Sequence, residues 1–166
     1  MGGGKIKKDV DRWADHYNSK APRWLFFLYL IHTDRYFRNL FYYRIGPIAS
    51  ILISWYRPGD RYFKIPSFMS LGGGCLVHHP YSTVLHAEKI GDNFSCAHCT
   101  TLGMGNGGKP VVGDNVSLGA NVIIIGNVHI GNNVTIGAGS VVVKDIPDDC
   151  IAVGNPARVI KIKNKI

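Results

Sequence analysis

The sequence predicts a mainly β protein in which a parallel β-helix follows an N-terminal α-helical segment. Three observations support this fold class. Aliphatic residues recur with a period of six over much of the region from Ile65 to Ile160, and Gly-Asp-Asn triplets fall on the same period. The first 64 residues lack this period and instead show helix-compatible spacing of apolar residues.

The period of six defines the repeating unit of the predicted β-helix. Nine positions share it, with one interruption after Leu102: Ile90, Cys96, Leu102, Val112, Leu118, Ile124, Ile130, Ile136 and Val142. Six is neither the 3.6-residue period of an α-helix nor the alternation of a flat strand. We therefore expect a chain that turns a corner every six residues and points these side chains inward.

The triplets supply the corners of this coil. Gly91-Asp92-Asn93, Gly113-Asp114-Asn115 and Gly131-Asn132-Asn133 contain residue types that tolerate left-handed backbone angles. Three strands per coil close a triangle, and successive coils stack about 4.8 Å apart. Each coil buries its aliphatic residues against the next, so several coils are needed for stability.

The N-terminal part is predicted as a cap of two to four helices. Apolar spacing compatible with helices covers Lys8–Asn18 and Trp24–Ile53, with breaks at Pro22, Pro47 and Pro58. We place a helical cap at residues 1–64, the β-helix at 65–149, and an exit segment with a basic tail at 150–166.

The aromatic-rich helices leave two interpretations open. Trp24–Leu30 and Ile48–Trp55 are apolar and lie near arginines, a composition that also occurs on membrane surfaces. We adopt the alternative that they form a cap or a subunit contact.

Composition and charge exclude several classes of protein. The formal net charge is +8, but residues 65–149 carry 3 Lys/Arg against 6 Asp/Glu, so we expect no nucleic-acid partner. No apolar run is long enough to cross a bilayer, and the N-terminal residues lack the pattern of a secretory signal. Four unevenly spaced cysteines indicate no disulfide framework. We expect a cytoplasmic protein.

Two C-terminal motifs resemble those of a known family. Ile136–Val142 (IGAGSVV) and Gly154–Ile160 (GNPARVI) are similar to the final coil and exit of the hexapeptide-repeat acyltransferases. The resemblance implies that the β-helix is left-handed and that acetyl-CoA is the co-substrate. It also implies a homotrimer, because this family places each active site between neighbouring β-helices.

Three further segments narrow the resemblance to the serine O-acetyltransferase branch, including its shorter members from polysaccharide clusters. They are Gly74–His79 (GCLVHH), Phe37–Arg44 (FRNLFYYR) and Thr100–Gly103 (TTLG). The resemblance implies that His79 is the general base of an O-acetyl transfer. A neutral imidazole suits this task near physiological pH and contributes about 10² to 10⁴-fold to the rate.

Counting hexads predicts different environments for the two adjacent histidines. Counting back from Ile90, we take Val84 and Val77 as the preceding inward positions, a step of seven residues. His78 then occupies the corner slot and His79 follows it, so their side chains are expected to point to opposite faces.

The same count predicts a neighbour for His79. His98 lies two residues after Cys96, as His79 lies two after Val77, so we expect His79 and His98 to be strand neighbours about 4.8 Å apart. We assign His78 and His98 to substrate binding.

The resemblance also implies where coenzyme A would bind. Small residues that admit its pantetheine arm are Gly119, Ala120, Gly137 and Ala138. Residues placed to meet its phosphates are Arg158, Lys161 and Lys163. A backbone N–H near Gly103 is the candidate donor to the oxyanion. Lys109 lies in the loop Met104–Pro110, which interrupts the period and could close over the acceptor.

Two departures from the family pattern bear on the acceptor. Lys64 stands where the family has a carboxylate that orients the base, and Gly108-Lys109-Pro110 replaces the Arg-His pair of true serine acetyltransferases. The acceptor hydroxyl could therefore belong to serine or to a sugar, and another group is needed to orient His79.

Rival functions rest on other residue patterns. Cys96 and Cys99 have CxxC spacing, but Cys96 is predicted to point inward and no second pair follows, so we expect no metal. A carbonic-anhydrase-like zinc site on the same β-helix would use His79, His86 and His98. A catalytically inactive structural subunit is the third alternative. His16, His32, His86 and His129 are interpreted as ordinary surface or cap residues.

Overall fold

The computed structural model describes residues 3–162, which form an N-terminal helical cap followed by a parallel β-helix. The cap contains four helices, in agreement with the predicted two to four: α1 (Gly3–His16), α2 (Arg23–Thr33), α3 (Arg35–Ile45) and α4 (Pro47–Ser54). Pro22 and Pro47 lie at the starts of α2 and α4, where the missing N–H of proline breaks no helical hydrogen bond.

Three sheets form the faces of the β-helix. The first contains β1 (Phe63–Lys64), β4 (Thr83–Leu85), β7 (Thr101–Gly103), β10 (Ile123–Ile125) and β13 (Val141–Val142). The second contains β2 (Ser70–Leu71), β5 (Lys89–Ile90), β8 (Val111–Val112) and β11 (His129–Ile130). The third contains β3 (Leu76–His78), β6 (Ser95–Ala97), β9 (Ser117–Leu118), β12 (Thr135–Ile136), β14 (Cys150–Gly154) and β15 (Ala157–Ile162). All pairs are parallel except β14 with β15.

The nine periodic residues form the interior of the β-helix, as predicted. Each is buried, with at most 3% of its surface exposed, and each pairs with its counterpart in a neighbouring coil, as Leu118 does with Ile136. The prediction of Val84 as an inward residue is wrong. Leu85 pairs with Leu102 and is fully buried, whereas Val84 is half-buried on the outer side.

The Gly-Asp-Asn triplets stack at the corner between the second and third sheets. Asn93, Asn115 and Asn133 have φ angles of 56–57°, and their side-chain amides join in a ladder with distances of 3.0 Å. The preceding glycines leave no room for a side chain, since a Cβ on Gly113 would lie 2.9 Å from the carbonyl of Gly131. Close backbone approach therefore explains the glycine, and the left-handed angle explains the asparagine.

A buried ion pair attaches the cap to the first coil. Arg44 of α3 donates through Nε to Asp9 of α1 at 2.8 Å, and both side chains are 2% exposed. Arg44 also donates to the carbonyl oxygens of Leu71 and Gly72, and the Cys75 N–H donates to Asp9 at 2.8 Å. Burial raises the pKa of Asp9, and the hydrogen bond from Arg44 opposes this rise. The network joins two helices to the β-helix.

Strand pairing defines where the β-helix begins and ends. β1 pairs with β4, so the parallel arrangement begins at Phe63, two residues before the predicted start at residue 65. At the other end, β14 still pairs with β12 in the third sheet, and only β15 turns back against it. The predicted exit segment at 150–166 therefore includes one further strand of the β-helix.

Candidate active site

The two histidines lie where the third sheet turns into the first. We call this corner the histidine corner, and it contains residues 79–82, 98–99, 120–121 and 138–139. In the second coil it turns at Cys99, three residues after Cys96; in the first coil it turns at Ser82, five residues after Val77. The first coil therefore carries two extra residues at this corner, not the single extra residue predicted.

His78 and His79 line the same cleft, contrary to the prediction that they face apart. β3 ends at His78, and His79 has a φ of 47°, so the alternation of a regular strand stops between them. The cleft, about 70 Å³ in volume, lies between the cap and the first coil and is lined by Trp13, His16, Tyr17, Asp34, Tyr36, Leu76, Val77, His78 and His79.

His78 is the half-buried member of the pair. Its ring lies 4.8 Å from that of His16, centroid to centroid, in an edge-to-face arrangement. Burial lowers the pKa of His78, and His16, Arg12 and His79 lower it further because a second positive charge near them is unfavourable. His78 is therefore kept neutral under conditions in which an ordinary histidine begins to protonate.

His79 is exposed, and the carboxylate among the residues that line the cleft comes from the cap. Asp34 is the N-cap of α3, where its Oδ1 accepts from the N–H groups of Tyr36 and Phe37 at 2.8 Å. Asp34 also raises the pKa of Tyr17, which burial has already raised. Lys64 lies on β1 and lines a different cleft with Pro47 and Ser50.

His98 occupies the histidine corner one coil further along, and its side chain is exposed. The predicted strand pairing with His79 is not observed, because the ladder between β3 and β6 ends at His78 and Ala97. The two extra residues of the first coil separate His79 from the position that His98 occupies in the second. The carbonyl of His98 accepts from the Asn121 N–H, which continues the corner.

Small residues lead away from the histidines along the third sheet. Because Leu118 pairs with Ile136, Gly119–Ala120 and Gly137–Ala138 stack in successive coils beneath Ala97 and His98. A Cβ on Gly119 would lie 2.6 Å from the nitrogen of Ala138, so the stack is tight.

Two of the predicted phosphate-binding residues lie at the far end of this sheet. Arg158 and Lys161 are exposed on β15, five strands from β3 and thus about 24 Å away. Lys163 lies outside the described residues.

Gly103 and Lys109 lie at a different corner from the histidines. We call it the loop corner; it joins the first sheet to the second and contains Phe68, His86 and residues 103–109. The Lys109 ammonium lies 4.5 Å from the ring of Phe68, which in turn packs against His86. Within one chain, Gly103 and Lys109 lie at the loop corner and His79 lies at the histidine corner, so a single copy does not bring them together.

Among the described residues, no cysteine lines the cleft. Cys96 is fully buried, as predicted, and burial raises its pKa well above the ordinary value. Burial also raises the pKa of Cys75 to about 12. Among residues 3–162, no three His, Cys, Asp or Glu side chains are grouped so as to hold a metal ion.

The cap contributes five lining residues that the sequence did not indicate: Trp13, His16, Tyr17, Asp34 and Tyr36. His16 was interpreted as an ordinary cap residue. These residues belong to the ends of α1 and α3, and no repeat pattern connects them with the β-helix. Only the docking of the cap on the first coil brings them to His78 and His79.

Comparison with known proteins identifies the family to which this chain belongs. The hexapeptide-repeat family "Bacterial transferase hexapeptide (six repeats)" matches residues 109–144. Soybean serine acetyltransferase superposes with a TM-score of 0.67 and 30% sequence identity, over 95% of this chain and 68% of the soybean chain. The chain belongs to the hexapeptide-repeat acyltransferases. Its β-helix is of their left-handed class.

Other members of the family are similar over shorter or comparable spans. A protein of Escherichia coli K12 named as the colanic acid biosynthesis acetyltransferase WcaB is 42% identical over 105 residues, which cover 61% of this chain and 65% of WcaB. Serine acetyltransferase of Neisseria gonorrhoeae, solved with serine, has a TM-score of 0.71 and 27% identity, over 96% of this chain and 69% of that one. This chain thus spans about two thirds of the length of these two relatives.

Proposed function

We propose that this chain is an acetyl-CoA-dependent O-acetyltransferase that acts on the hydroxyl of a small acceptor, either serine or a sugar. The observation that carries the proposal is the position of the cleft. It holds two histidines at the head of the third sheet, and the small-residue stack of that sheet leads from this corner toward Arg158 and Lys161.

In this proposal His79 is the general base. Its imidazole accepts the proton of the acceptor hydroxyl while the hydroxyl oxygen attacks the thioester carbonyl carbon of acetyl-CoA. The C–S bond then breaks, the acetyl group stays on the acceptor oxygen, and the imidazolium returns its proton to the thiolate. His79 fits this role because it is exposed, whereas the half-buried His78 is packed against His16. Asp34 is the candidate carboxylate for orienting a histidine in the cleft.

The small-residue stack and the basic strand fit coenzyme A. Gly119–Ala120 and Gly137–Ala138 offer a surface without long side chains for the pantetheine arm. Arg158 and Lys161 are exposed cations for its phosphates. Both features lie on the sheet that begins at the histidines.

The proposal includes a homotrimer. Gly103 and Lys109 belong to the loop corner, so their proposed roles as oxyanion donor and acceptor contact require the loop corner of a neighbouring copy to approach the histidine corner. The solution molar mass tests this arrangement, and mixing inactive His79→Ala with inactive Lys109→Ala chains should restore part of the activity at shared sites. A monomer with full activity would contradict it.

The activity is tested by release of free coenzyme A. Purified protein is incubated with acetyl-CoA and a thiol-reactive dye, first with serine and then with nucleotide sugars as acceptors. We expect thiol release with one acceptor class, a loss of about 10² to 10⁴-fold for His79→Ala, and most activity kept in His78→Ala. Failure to bind acetyl-CoA would exclude the proposal. The opposite ranking of the two variants would assign the base to His78.

A further inference from the structure

Helix α4 points its apolar face away from the protein. Ile48, Ile51, Leu52 and Trp55 follow the spacing i, i+3, i+4, i+7, which places them on one side of a helix. Their exposed fractions are 80%, 70%, 70% and 80%, and no residue of α4 is buried. A surface helix of a globular protein normally packs such a stripe against the core.

The side of α4 that faces the protein is the more polar one. Ala49, Ser50 and Ser54 are half-buried, and Ser50 lines the cleft between α4 and the loop that leads to β1. The Ser50 hydroxyl is satisfied locally, since it donates to the Pro47 carbonyl at 2.9 Å. Helix α4 therefore turns its more polar side toward the protein and its apolar side toward the solvent.

Aromatic and basic residues follow the apolar stripe directly. Trp55 and Tyr56 are 80% and 63% exposed, and the guanidinium of Arg57 lies 5.5 Å from the Tyr56 ring. Arg61 and Lys64 come next and are exposed. Asp60, the only acidic residue from Pro47 to Lys64, is turned inward, where it accepts from the N–H groups of Tyr62 and Phe63.

We propose that α4 lies in the surface of a phospholipid bilayer that contains anionic lipids. Ile48, Ile51 and Leu52 enter the boundary between headgroups and acyl chains. Trp55 and Tyr56 sit at the headgroup level, where such rings are favoured, and Arg57, Arg61 and Lys64 contact lipid phosphates. None of the helices in residues 3–162 is long and apolar enough to cross a bilayer, so the contact is peripheral.

The charge of this surface favours a bilayer over a second copy of the chain. A symmetric contact through α4 would bring the same cations of both copies together, and like charges repel. An anionic bilayer complements every one of them. The helix is also only eight residues long, or about 12 Å, a small area beside the roughly 800 Å² per partner of a stable interface. The inference does not depend on the proposed acetyl transfer.

Vesicle co-sedimentation of the full chain tests the proposal. We expect binding to vesicles of phosphatidylcholine with phosphatidylglycerol, weaker binding to phosphatidylcholine alone, and release by salt. The double variant Ile51→Glu with Leu52→Glu should lower the bound fraction at least about tenfold. Val143→Glu is the matched control, because Val143 is an exposed aliphatic residue of the β-helix, 54% exposed, and should leave binding unchanged.

Two further measurements keep the test decisive. If the double variant does not fold, the tryptophan fluorescence of the unmodified chain is recorded in the presence of vesicles of brominated lipids. Quenching of this fluorescence that disappears in Trp55→Phe supports insertion of Trp55 into the bilayer. Absence of vesicle binding by the unmodified chain would overturn the proposal, as would equal binding by the double variant. A fall in solution molar mass of the double variant without a change in vesicle binding would assign the face to a second copy.

Discussion

The ring of His16 lies 4.8 Å from the ring of His78, at an interplanar angle of 74°. This contact joins the last turn of α1 to the first coil of the β-helix, directly beside the proposed base. It makes the cap part of the candidate active site, so the cap has a role beyond covering the end of the β-helix. The contact also predicts how the site responds to pH.

We expect His78 to titrate below the ordinary range of histidine. Because burial and the neighbouring cations lower the folded pKa of His78, protonation favours the unfolded chain, and the contribution of His78 to stability is lost as pH falls. His16→Gln removes one of these cations and should raise the pKa of His78. NMR titration of the imidazole resonances measures this, with His129→Gln, a distant exposed residue, as the control. An unchanged His78 pKa in His16→Gln would contradict the expected coupling.

Arg44→Met should destabilise the protein by about 3–5 kcal/mol at neutral pH, because it leaves the Asp9 carboxylate buried without its partner. Burial already raises the folded pKa of Asp9, so the stability from this group is present at low pH and is lost as pH rises through that pKa. The deficit of Arg44→Met should therefore shrink in mildly acidic solution. Denaturant unfolding at both pH values measures it.

Lys8→Met is the matched control for that experiment. Lys8 forms an ion pair with Asp92 at 2.8 Å, but their side chains are 60% and 40% exposed to solvent. Removing an exposed pair should change the free energy of unfolding far less than Arg44→Met does, because solvent screens the two charges. Equal losses in the two variants would show that burial of the Asp9–Arg44 pair is not what makes it important.

Asn115→Ala should lower the free energy of unfolding by about 1–3 kcal/mol. Alanine at this position keeps the unfavourable φ of 56° but has no side-chain amide to form hydrogen bonds. The ladder to Asn93 and Asn133 is therefore broken. Asn115→Gly loses the same ladder but tolerates the backbone angle, so it should be the less damaging change. Denaturant unfolding of both variants separates the two effects, and equal losses would mean that the ladder alone is important.

Gly119→Ala should both destabilise the β-helix and weaken acetyl-CoA binding. The new Cβ would lie 2.6 Å from the nitrogen of Ala138, and crowding of this kind costs about 1–3 kcal/mol. Gly4→Ala is the control, because Gly4 is exposed on α1, away from the small-residue stack, and its Cβ would meet nothing within 4 Å. Calorimetric titration with acetyl-CoA and thermal unfolding provide the two measurements. Unchanged affinity in folded Gly119→Ala would remove Gly119 from the proposed pantetheine surface.

The interior of the β-helix could be predicted almost completely from the sequence, because the hexad repeats a local rule. An inward side chain and a corner residue recur at fixed spacing, so Cys96 and Leu118 could be assigned without knowledge of the rest of the chain. The rule failed where the spacing changes. Two extra residues at the histidine corner move the inward position from Val84 to Leu85. A period of six does not specify at which corner of the coil extra residues are accommodated.

The sequence by itself determined the repeating coil, the helical cap and the segment that holds the histidine pair, since these depend on patterns between near neighbours in the chain. The tertiary structure alone decided that His78 and His79 share a cleft, that His16 and Asp34 line it, and that Lys109 lies at another corner. It also decided that α4 faces outward. These relationships depend on how segments far apart in sequence pack together, and such packing produces no periodic pattern in the sequence.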